Sequence, residues 1–538
     1  MTLAVLVTVG IAAALVVATL RWLRVAQREH YLPGRVLTIA QLWLRRSWVD
    51  TALAALAASL VVAAVAVALV AGGGLVSAVL GLAGAVVAAL VPLGLSVRGR
   101  TSPLAWTGRL RRLAAGWAVL VLVLGGLLTW AFGPGGAAVL VVTGSLVLDA
   151  ALWVMDRVER RLSAPFVTAA QRRLARVRPQ VVAITGSYGK TSTKGYVAHL
   201  LSGSRAVVAS PASFNNRLGL SRAVNDHLVE GTEVFVAEMG MFGPGEIREL
   251  CGLFPPDVAV ITTIGEAHLE RVGSREGVLA AKSEIAERAR TVVLPVDDPL
   301  LAALADRCRA DGKRVVTCSV VEGEGPDGES TNGEVRAARD GADDIDVVVD
   351  VPAGVARVRH GAAEAVLELG EAVPHGVNLA VALGVAVALD VEPTSLASRL
   401  RGFPRAAHRA EVHAGPGVAV VDDTYNANPV GALAALREAA ALAAERGGPL
   451  VVVTPGIVEL GRVQRERNLA FARAVAEAGA RVVVVGRTNR EALVAGARDG
   501  GAVPDVVDRR EQAVTLATSV AGERGVVLYE NDLPDHYP

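Results

Sequence analysis

The sequence has few cysteines and almost no net charge, and each shortage excludes a class of protein. Its 538 residues include three cysteines, with no C-x-x-C pair, which leaves neither a disulfide framework nor a four-cysteine zinc ribbon. The formal net charge of +1 gives no long-range field that would attract nucleic acid or an acidic polymer. Hydrophobic residues, in contrast, make up 52% of the chain and the mean hydropathy is +0.43, which is too apolar for a wholly soluble protein.

Five long stretches near the N-terminus contain no charged residue other than Asp149. Each stretch is long enough to cross a bilayer as a helix. The first stretch lacks a basic segment before it and is followed by arginines, so we expect a retained span and not a cleaved signal peptide. The sequence therefore predicts an α-helical membrane region of five spans, over residues 2–20, 52–71, 74–95, 114–132 and 136–155.

Arginines set the predicted orientation of these spans. Residues 21–47 hold six arginines and one acid, and residues 96–113 hold five arginines and no acid. Under the positive-inside rule both loops are cytoplasmic and the N-terminus is outside. The chain is thus predicted to be a multi-pass protein of the cell membrane with everything after residue 155 in the cytoplasm. Asp149 is interpreted as a snorkelling carboxylate, and residues 31–47 as a segment along the membrane surface.

The cytoplasmic half alternates apolar, strand-like runs with helix-like segments, which predicts α/β domains with parallel sheets. Residues 156–178 carry seven arginines and are predicted to form a basic juxtamembrane connector. A central domain is predicted over 179–403, with an insert at 322–345, an antiparallel appendage at 346–369 and a helix at 377–389. A separate C-terminal α/β domain is predicted over 404–538. Strands are predicted at 181–185, 206–209, 233–238, 257–262, 291–294, 314–318, 346–351, 355–359, 364–369, 418–422, 449–454, 481–485, 504–507 and 525–529.

A short strand at 181–185 leads into a glycine-punctuated turn that ends in Gly189-Lys190-Thr191. Gly186 and Gly189 allow the backbone to approach phosphate, Lys190 offers a charge to the outer phosphates, and Thr191 can ligate Mg²⁺ at the N-terminus of the next helix. The spacing G-x-x-G-K-T is two residues shorter than the general phosphate-loop pattern. The turn predicts a binding site for a nucleotide triphosphate.

Three further polar residues follow predicted strands or lie on a helix. Glu238 ends a buried strand, where open α/β sheets place their ligands, and it is a candidate Mg²⁺ ligand. His268 follows the strand at 257–262, and Lys282 lies on an apolar-patterned helix. Taken one at a time, these residues are also compatible with a capping or solvated acid, a structural histidine and a solvated lysine.

Taken together with the turn, these segments resemble the Mur ligase family in order and spacing over about residues 179–530. The branch that adds D-alanyl-D-alanine is the most similar. The motifs that carry the resemblance are Thr185-Gly-Ser-Tyr-Gly-Lys-Thr-Ser192, Glu238-Met-Gly240, Gly245-Glu-Ile247, His268-Leu-Glu270, Lys282-Ser-Glu-Ile285, Asp422-Asp-Thr-Tyr-Asn-Ala-Asn-Pro429 and Pro455-Gly-Ile-Val-Glu-Leu-Gly461.

The resemblance implies a P-loop central domain and a Rossmann-like C-terminal domain, with roles for individual residues. ATP phosphates would be bound by the loop residues Gly186, Ser187, Gly189, Lys190, Thr191 and Ser192. The ligands of Mg²⁺ would be Thr191, Glu238, His268 and Lys282.

Lys282 would be carbamylated by CO₂ and so become an anionic metal ligand. Asn378 matches the residue that family members place at the adenine. From the C-terminal domain, Arg409 would reach the phosphates and Asp423 the ribose. The side of the incoming amine would be lined by Tyr425, Asn426 and Asn428.

The implied reaction is ATP-dependent formation of an amide bond, through an acyl phosphate, in cell-wall peptide synthesis. A small amine or dipeptide such as D-alanyl-D-alanine would be added to a muropeptide-like carboxylate. Nothing before residue 179 resembles the domain that holds the UDP sugar in this family, so a lipid-linked acceptor is also compatible with the sequence. A membrane-bound polyglutamate synthetase and a non-catalytic nucleotide-binding regulator are the alternatives.

Overall fold

The computed structural model describes residues 2–98, 104–267, 269–321, 345–361, 363–370, 375–403, 411–413, 417–424, 428–533 and 536–538. A helical N-terminal region is followed by two α/β units, each built on its own sheet. The predicted insert at 322–345 falls almost wholly outside the described residues. The helices of the N-terminal region are α1 (Thr2–Arg28), α2 (Arg35–Arg46), α3 (Trp48–Ala71), α4 (Leu75–Leu90), α5 (Gly108–Phe132), α6 (Val139–Val142) and α7 (Gly144–Val177).

The prediction of five full spans is corrected by these helices. By length and composition, α1, α3 and α5 are long and apolar enough to cross a membrane. A fourth span is possible only if Pro134–Val142 and α7, which meet at a bend of 70°, count as one broken span. The stretch at 74–95 forms a helix of 16 residues, about 24 Å long at 1.5 Å per residue. That length is short of a hydrocarbon core of about 30 Å.

Glycine and proline explain why the pattern of uncharged residues overestimated the spans. Gly72 and Gly73 separate α3 from α4, and Pro134, Gly135 and Gly136 break the chain after α5. Both uncharged connectors lie at the same end of the bundle, since a Cβ added to Gly73 would come 2.9 Å from the Cα of Gly133. Apolar composition alone does not register such breaks.

Asp149 has a different role from the predicted snorkelling carboxylate. Its two carboxylate oxygens accept hydrogen bonds from the backbone N–H groups of Gly34 at 3.0 Å and Leu37 at 2.7 Å. These groups lie at the N-terminus of α2, which has no cap from its own sequence. Asp149 thus satisfies orphan donors of that helix and fixes α2 against α7. The apolar face of α2, including Val36, Ile39 and Trp43, is buried.

The helix α7 runs without interruption for 34 residues. It begins within the fifth uncharged stretch and ends two residues before the first strand of the central unit. The predicted boundary between a membrane region and a basic connector therefore falls inside one helix. Arg160 on this helix pairs with Glu249 of the central unit at 2.8 Å.

The central unit is a nine-stranded sheet in the order β2-β3-β1-β4-β5-β6-β7-β8-β9. Neighbouring strands are parallel as far as β7, and β8 and β9 continue the sheet antiparallel. The predicted appendage is therefore an extension of the main sheet. The strands, all close to predicted positions, are β1 (Gln180–Thr185), β2 (Val207–Ala209), β3 (Val234–Glu238), β4 (Val258–Ile261), β5 (Thr291–Pro295), β6 (Arg314–Val321), β7 (Val347–Asp350), β8 (Val355–His360) and β9 (Ala363–Glu368).

Helices cover both faces of this sheet, as doubly wound folds require. One core cluster holds apolar residues of α9, α10, α12 and α13, and the other holds residues of α8 and α14. The predicted helix at 377–389 is confirmed as α14. The helices are α8 (Lys190–Leu201), α9 (Arg217–His227), α10 (Glu246–Leu253), α11 (Leu269–Val272), α12 (Arg275–Ser283), α13 (Pro299–Ala310) and α14 (Gly376–Ala388).

The C-terminal unit is a six-stranded sheet in the order β10-β11-β15-β12-β13-β14. Its pairings are parallel except that of β10 with β11. The strands are β10 (Glu411–His413), which was not predicted, and β11 (Ala419–Asp423), β12 (Leu450–Thr454), β13 (Arg481–Val485), β14 (Asp505–Val507) and β15 (Val526–Glu530), which were. The helices are α15 (Pro429–Arg446), α16 (Gln464–Glu477), α17 (Arg490–Asp499) and α18 (Arg510–Ala521).

Candidate active site

The glycine turn of the candidate phosphate site connects β1 to the N-terminus of α8. Gly186 and Gly189 have φ angles of 155° and 78°, which favour glycine. Both positions are also crowded: a Cβ added to Gly186 would lie 1.9 Å from Thr262 Oγ1, and one added to Gly189 would lie 2.3 Å from Asn378 Oδ1. Only glycine fits at these two points, so the turn keeps the backbone N–H groups of the α8 N-terminus accessible to an anion.

Two lysines converge on one carbonyl group of this turn. Lys190, the first residue of α8, donates from Nζ to the Gly186 oxygen at 2.7 Å. Lys282, at the end of α12, donates to the same oxygen at 3.0 Å. The side chain of Lys190 thus folds back over the turn. The oxygens of a bound phosphate would compete with the Gly186 carbonyl for its ammonium group.

The environment of Lys282 disfavours a positive charge. The residue is 1% exposed. Burial, with the charge of Lys190 nearby, holds the pKa of its ammonium well below the ordinary lysine value. The charged form of Lys282 is thus disfavoured relative to the neutral amine, which is the form that can act as a nucleophile.

Glu238, at the carboxyl end of β3, is buried and carries a full set of partners. Its carboxylate accepts from Thr191 Oγ1 at 2.9 Å, from Lys194 Nζ at 3.0 Å and from Asn215 Nδ2 at 3.1 Å. Burial opposes ionisation, but the charges of Lys194 and Lys190 outweigh it and hold the pKa of Glu238 below its usual value. Glu238 is therefore an anion beside the hydroxyl of Thr191.

The oxygen atoms of Thr191 and Glu238 are suited to binding Mg²⁺. A hydroxyl and an ionised carboxylate 2.9 Å apart, next to a phosphate-binding turn, are ligands of the kind that Mg²⁺ takes together with nucleotide phosphates. Among the residues that the structure describes, no group of three or more His, Cys, Asp or Glu side chains forms a metal cluster. His268, another of the predicted ligands, lies outside the described residues.

The loop after β4 is fastened to the turn. Ser187 N donates to Thr263 O at 2.9 Å, and Tyr188 N to Thr263 Oγ1 at 3.0 Å. The hydroxyl of Tyr188 accepts from Glu266 N at 2.9 Å. Burial raises the pKa of Tyr188 to about 12, so its hydroxyl stays protonated. The turn and the 262–267 loop consequently form one structural unit.

The C-terminal unit contacts this loop directly. Arg467, on α16, makes a bidentate ion pair with Glu266, at 2.7 Å and 2.8 Å. Arg271 pairs with Glu459 at 2.8 Å, and Glu270 N donates to the Glu459 oxygen at 3.2 Å. These contacts join the two α/β units beside the phosphate turn.

The remaining predicted site residues lie in different parts of the structure, and three of them are outside the described residues. Asn378 lies in the site, because it accepts from Thr193 Oγ1 at 3.2 Å and abuts Gly189. Asp423 lies at the carboxyl end of β11 in the second sheet. Asn428 caps α15 by accepting from Gly431 N at 2.8 Å. Arg409, Tyr425 and Asn426 fall outside the described residues.

The comparisons with known proteins match this architecture. Residues 184–373 match the Mur ligase middle domain, and residues 408–529 the Mur ligase glutamate ligase domain. A UDP-N-acetylmuramate–L-alanine ligase of Kineococcus radiotolerans is 33% identical over 362 residues, covering 63% of this chain and 69% of that protein. The chain belongs to the Mur ligase family.

Other members of the Mur ligase family match as well. A UDP-N-acetylmuramoyl-tripeptide–D-alanyl-D-alanine ligase of Mycobacterium leprae is 36% identical over 257 residues, 46% of this chain and 48% of the relative. The chain thus spans about half the length of such curated relatives. The structure of the MurF ligase of Thermotoga maritima in complex with ADP has a TM-score of 0.50 and 25% identity, over 68% of this chain and 79% of that one.

Glu284, in the motif that begins at Lys282, and Asn468, which lies outside the motifs, hold the framework of the site. Glu284 accepts from Gly245 N at 2.8 Å and Arg248 N at 3.0 Å, and so caps α10. Asn468 is fully buried and holds Ile457 by two hydrogen bonds, at 2.8 Å and 2.9 Å. These residues position the loops 242–245 and 455–461.

Four residues around the Mur ligase site were missed from the sequence. Lys194 lies one turn after Lys190 on α8, and this i, i+4 spacing is a signal that was available. Asn215, Glu266 and Arg467 meet their partners only through tertiary structure. No spacing in the sequence indicates these three contacts.

Proposed function

We propose that the chain is an ATP-dependent ligase that joins the carboxylate of a muropeptide-like acceptor to a small amine, such as D-alanyl-D-alanine. The observation that carries the proposal is the convergence of Lys190 and the buried Lys282 on the Gly186 carbonyl, beside the Thr191–Glu238 pair. Membership of the Mur ligase family supports the same reaction class. A structural phosphate turn without catalysis would not need a second, buried lysine.

In the proposed first step, an acceptor carboxylate oxygen attacks the γ-phosphorus of ATP, and the bond to the ADP oxygen breaks. Lys190 exchanges the Gly186 carbonyl for phosphate oxygens and neutralises the charge that moves onto ADP. The N-terminus of α8 adds its N–H groups to the same anion. Mg²⁺, held by Thr191 and Glu238, supplies charge neutralisation when bound.

In the second step, the amine nitrogen attacks the acyl carbon, phosphate leaves with the bonding electrons and the amine loses a proton. Water must be excluded, because it would hydrolyse the acyl phosphate. The ion pairs of Arg467 with Glu266 and of Arg271 with Glu459 bring the C-terminal unit over the loop beside the phosphate turn. They support a site that closes by contact between the two units.

Roles for further residues belong to the proposal through the family resemblance. Lys282 would form a carbamate with CO₂, in which the amine nitrogen bonds to carbon and a proton leaves. Asn378 would contact the adenine, and Arg409 and Asp423 the phosphates and ribose. His268 would complete the metal ligands, and the amine would bind near Tyr425, Asn426 and Asn428.

The proposal includes the location of the reaction. ATP is cytosolic, and the arginines that follow α1 and precede α5 favour the cytoplasmic side. We therefore infer a membrane protein whose N-terminus is outside and whose two α/β units are cytoplasmic. The acceptor is either nucleotide-linked or lipid-linked.

Phosphate release by the full chain in detergent tests the reaction. Each assay pairs a UDP-linked or lipid-linked muropeptide with D-alanyl-D-alanine, glutamate or another single amino acid, or ammonia. We expect one pair to stimulate ATP turnover and to yield an amide product by mass spectrometry, and Lys190→Ala to abolish both. Lys313→Ala is the matched control, because Lys313 donates to the backbone oxygens of Glu287 and Ala289 and precedes β6, at the end of the parallel strands opposite the phosphate turn. Turnover with glutamate alone would identify a polyglutamate synthetase, and no stimulation by any pair would refute the ligase.

A further inference from the structure

A cavity of about 380 Å³ lies where α2, α11 and the C-terminal unit meet. Its volume is within the range of small-molecule sites. One wall is a face of α2 and the opposite wall is formed by residues 458–465 and the start of α17. Eight residues of the lining are charged: Arg35, Arg45, Arg46, Arg462, Arg465, Glu270, Glu459 and Glu491.

The glutamates of this lining are largely engaged. Glu459 pairs with Arg271 at 2.8 Å. Arg35, whose side chain is 10% exposed, lies 3.6 Å from Glu270 and 3.9 Å from Glu459 at the base of the cavity. Arg35 is also held by Glu29, at 2.5 Å. The charges at the base therefore balance one another.

The arginines of the two walls have no such partners. The side chains of Arg45, Arg46, Arg462 and Arg465, all exposed, make no ion pair or hydrogen bond with any residue in the described ranges. Two of them come from the N-terminal region and two from the C-terminal unit, so the chain brings four unpaired arginines to one cavity, where Glu491 adds a single exposed carboxylate. The N-termini of α16 and α17 also lie at its wall, at Gln464 and Asn489, and their dipoles favour an anion.

The cavity adjoins the candidate active site. Glu270, in its wall, belongs to α11, which follows the 262–267 loop that is fastened to the phosphate turn. An acceptor that extends from this cavity would pass along that loop toward Lys190. Three peptide residues alone span about 10 Å when extended, so the two ends of such an acceptor belong in separate sites.

We propose that this cavity binds the diphosphate group of the acceptor, with Arg45 and Arg46 on one side and Arg462 and Arg465 on the other. Arginine is suited to this role, because its planar donors match phosphate oxygens in pairs. The inference rests on the proposed ligase function and specifies its acceptor. A nucleotide and a membrane lipid share this diphosphate chemistry, and the position of α2 at the end of α1 makes both reachable.

Binding to the full chain in detergent tests the proposal. UDP and inorganic pyrophosphate are titrated by calorimetry, and polyprenyl diphosphate and phosphatidylglycerol are counted by native mass spectrometry. We expect Arg45→Gln/Arg46→Gln and Arg462→Gln/Arg465→Gln each to weaken diphosphate binding by roughly tenfold. The matched control is Arg437→Gln/Arg498→Gln, two arginines of the C-terminal unit that do not line the cavity; its binding should be unchanged. ATP binding should be unchanged in all three variants, which shows that they fold.

Each outcome has one meaning. Arginine-dependent binding of UDP, or of polyprenyl diphosphate alone, supports the proposal and identifies a nucleotide-linked or a lipid-linked source. Equal affinity of the wild type and both wall variants for every diphosphate overturns it. Equally tight, arginine-dependent binding of phosphatidylglycerol overturns it as well, because the cavity is then a general contact for anionic lipid. Loss of diphosphate binding with no change in the acceptor KM also overturns it while leaving the ligase function intact. Arginine-dependent binding without amide formation refutes the ligase function instead and leaves the diphosphate site standing.

Discussion

At the scale of single residues, Lys282 is the most informative position. It is buried, its pKa is depressed, and its nitrogen lies 3.0 Å from the same carbonyl that Lys190 contacts. A lysine kept only for packing would be expected to extend its ammonium to solvent. The depressed pKa favours the neutral amine, which is the form that would react with CO₂ in the carbamylation proposed above, and the carbamate would place a negative charge beside Lys190.

We therefore expect Lys282→Ala to lower ATP turnover by about 100-fold or more, since it would remove the proposed carbamate anion from the site of phosphoryl transfer. Formate or acetate should restore part of the rate, because a free carboxylate can occupy the vacated space. Turnover at increasing formate concentration measures this, with Lys313→Ala as the control. A variant with full activity, or one that no carboxylate rescues, would contradict the carbamate.

A second residue, Glu530, should give the chain a pH-dependent stability. Burial is the main cause that raises the pKa of Glu530 to about 8, with a contribution from Asp423. The folded state then holds one proton more than the unfolded state between about pH 4.5 and 8. Stability should fall as the pH rises through this window, by up to about 1.4 kcal/mol per pH unit.

Thermal unfolding between pH 5 and 8.5 checks this expectation. Glu530→Gln keeps the shape of the side chain and cannot ionise, so its melting temperature should decline less with pH than that of the wild type. Glu523→Gln, at an exposed position, is the matched control and should follow the wild type. Parallel curves for Glu530→Gln and the wild type would show that Glu530 does not titrate in this range.

At the scale of elements, strands and helices were predictable because their signals are local. The uninterrupted apolar runs of a doubly wound sheet and the glycine turn before α8 depend on neighbouring residues, so β1–β9 were confirmed close to their predicted positions. Contacts between residues that are far apart in the sequence were not predictable. Asn215 reaches Glu238, and Arg467 reaches Glu266, only because the topology brings separate elements together. The prediction of five membrane spans was wrong for a related reason. It was based on the absence of charge, which does not show where glycine and proline break the helices at 72–74 and 134–136.

The pair between α16 and the 262–267 loop offers a test at this scale. Arg467→Gln should lower kcat/KM for ATP by roughly 3- to 10-fold, because it loosens the C-terminal unit from a loop that is bonded to Tyr188. Adding Glu266→Gln should cost little more, since the partners act as one interaction. Arg473→Gln on the same helix pairs only with Glu477 and serves as the control. Additive losses in the double variant would separate the two residues.

At the scale of the whole molecule, the positions of the connectors predict its orientation. The uncharged connectors at 72–73 and 133–135 lie together at one end of the helical region. The arginines at the end of α1, on α2 and at the start of α5 lie toward the other end, where Trp117 of α5 donates to Thr19 of α1 at 3.0 Å. The positive-inside rule then predicts that the connectors lie outside the cell.

Cysteine labelling of intact cells tests this orientation. Cys251, Cys308 and Cys318 are buried and should not react in the folded chain. A membrane-impermeant maleimide should label Gly74→Cys at once, and Arg111→Cys only after the cells are permeabilised. Both positions are exposed, so each is the control for the other. The reverse pattern would place the α/β units outside and would be incompatible with cytosolic ATP.

The continuous helix α7 has a mechanical consequence for the whole assembly. Its 34 residues extend about 51 Å, and two residues separate its end from β1, which leads into the phosphate turn. In the membrane arrangement proposed above, the helix would set both the height of the two α/β units above the bilayer and their rotation about its axis. One residue inserted before Arg160 would turn them by about 100°, whereas seven would bring them to within about 20° of their original facing at a height about 10 Å greater. The rotation of the α/β units about the axis of α7 and their height above the bilayer can therefore be varied separately by changing the length of α7.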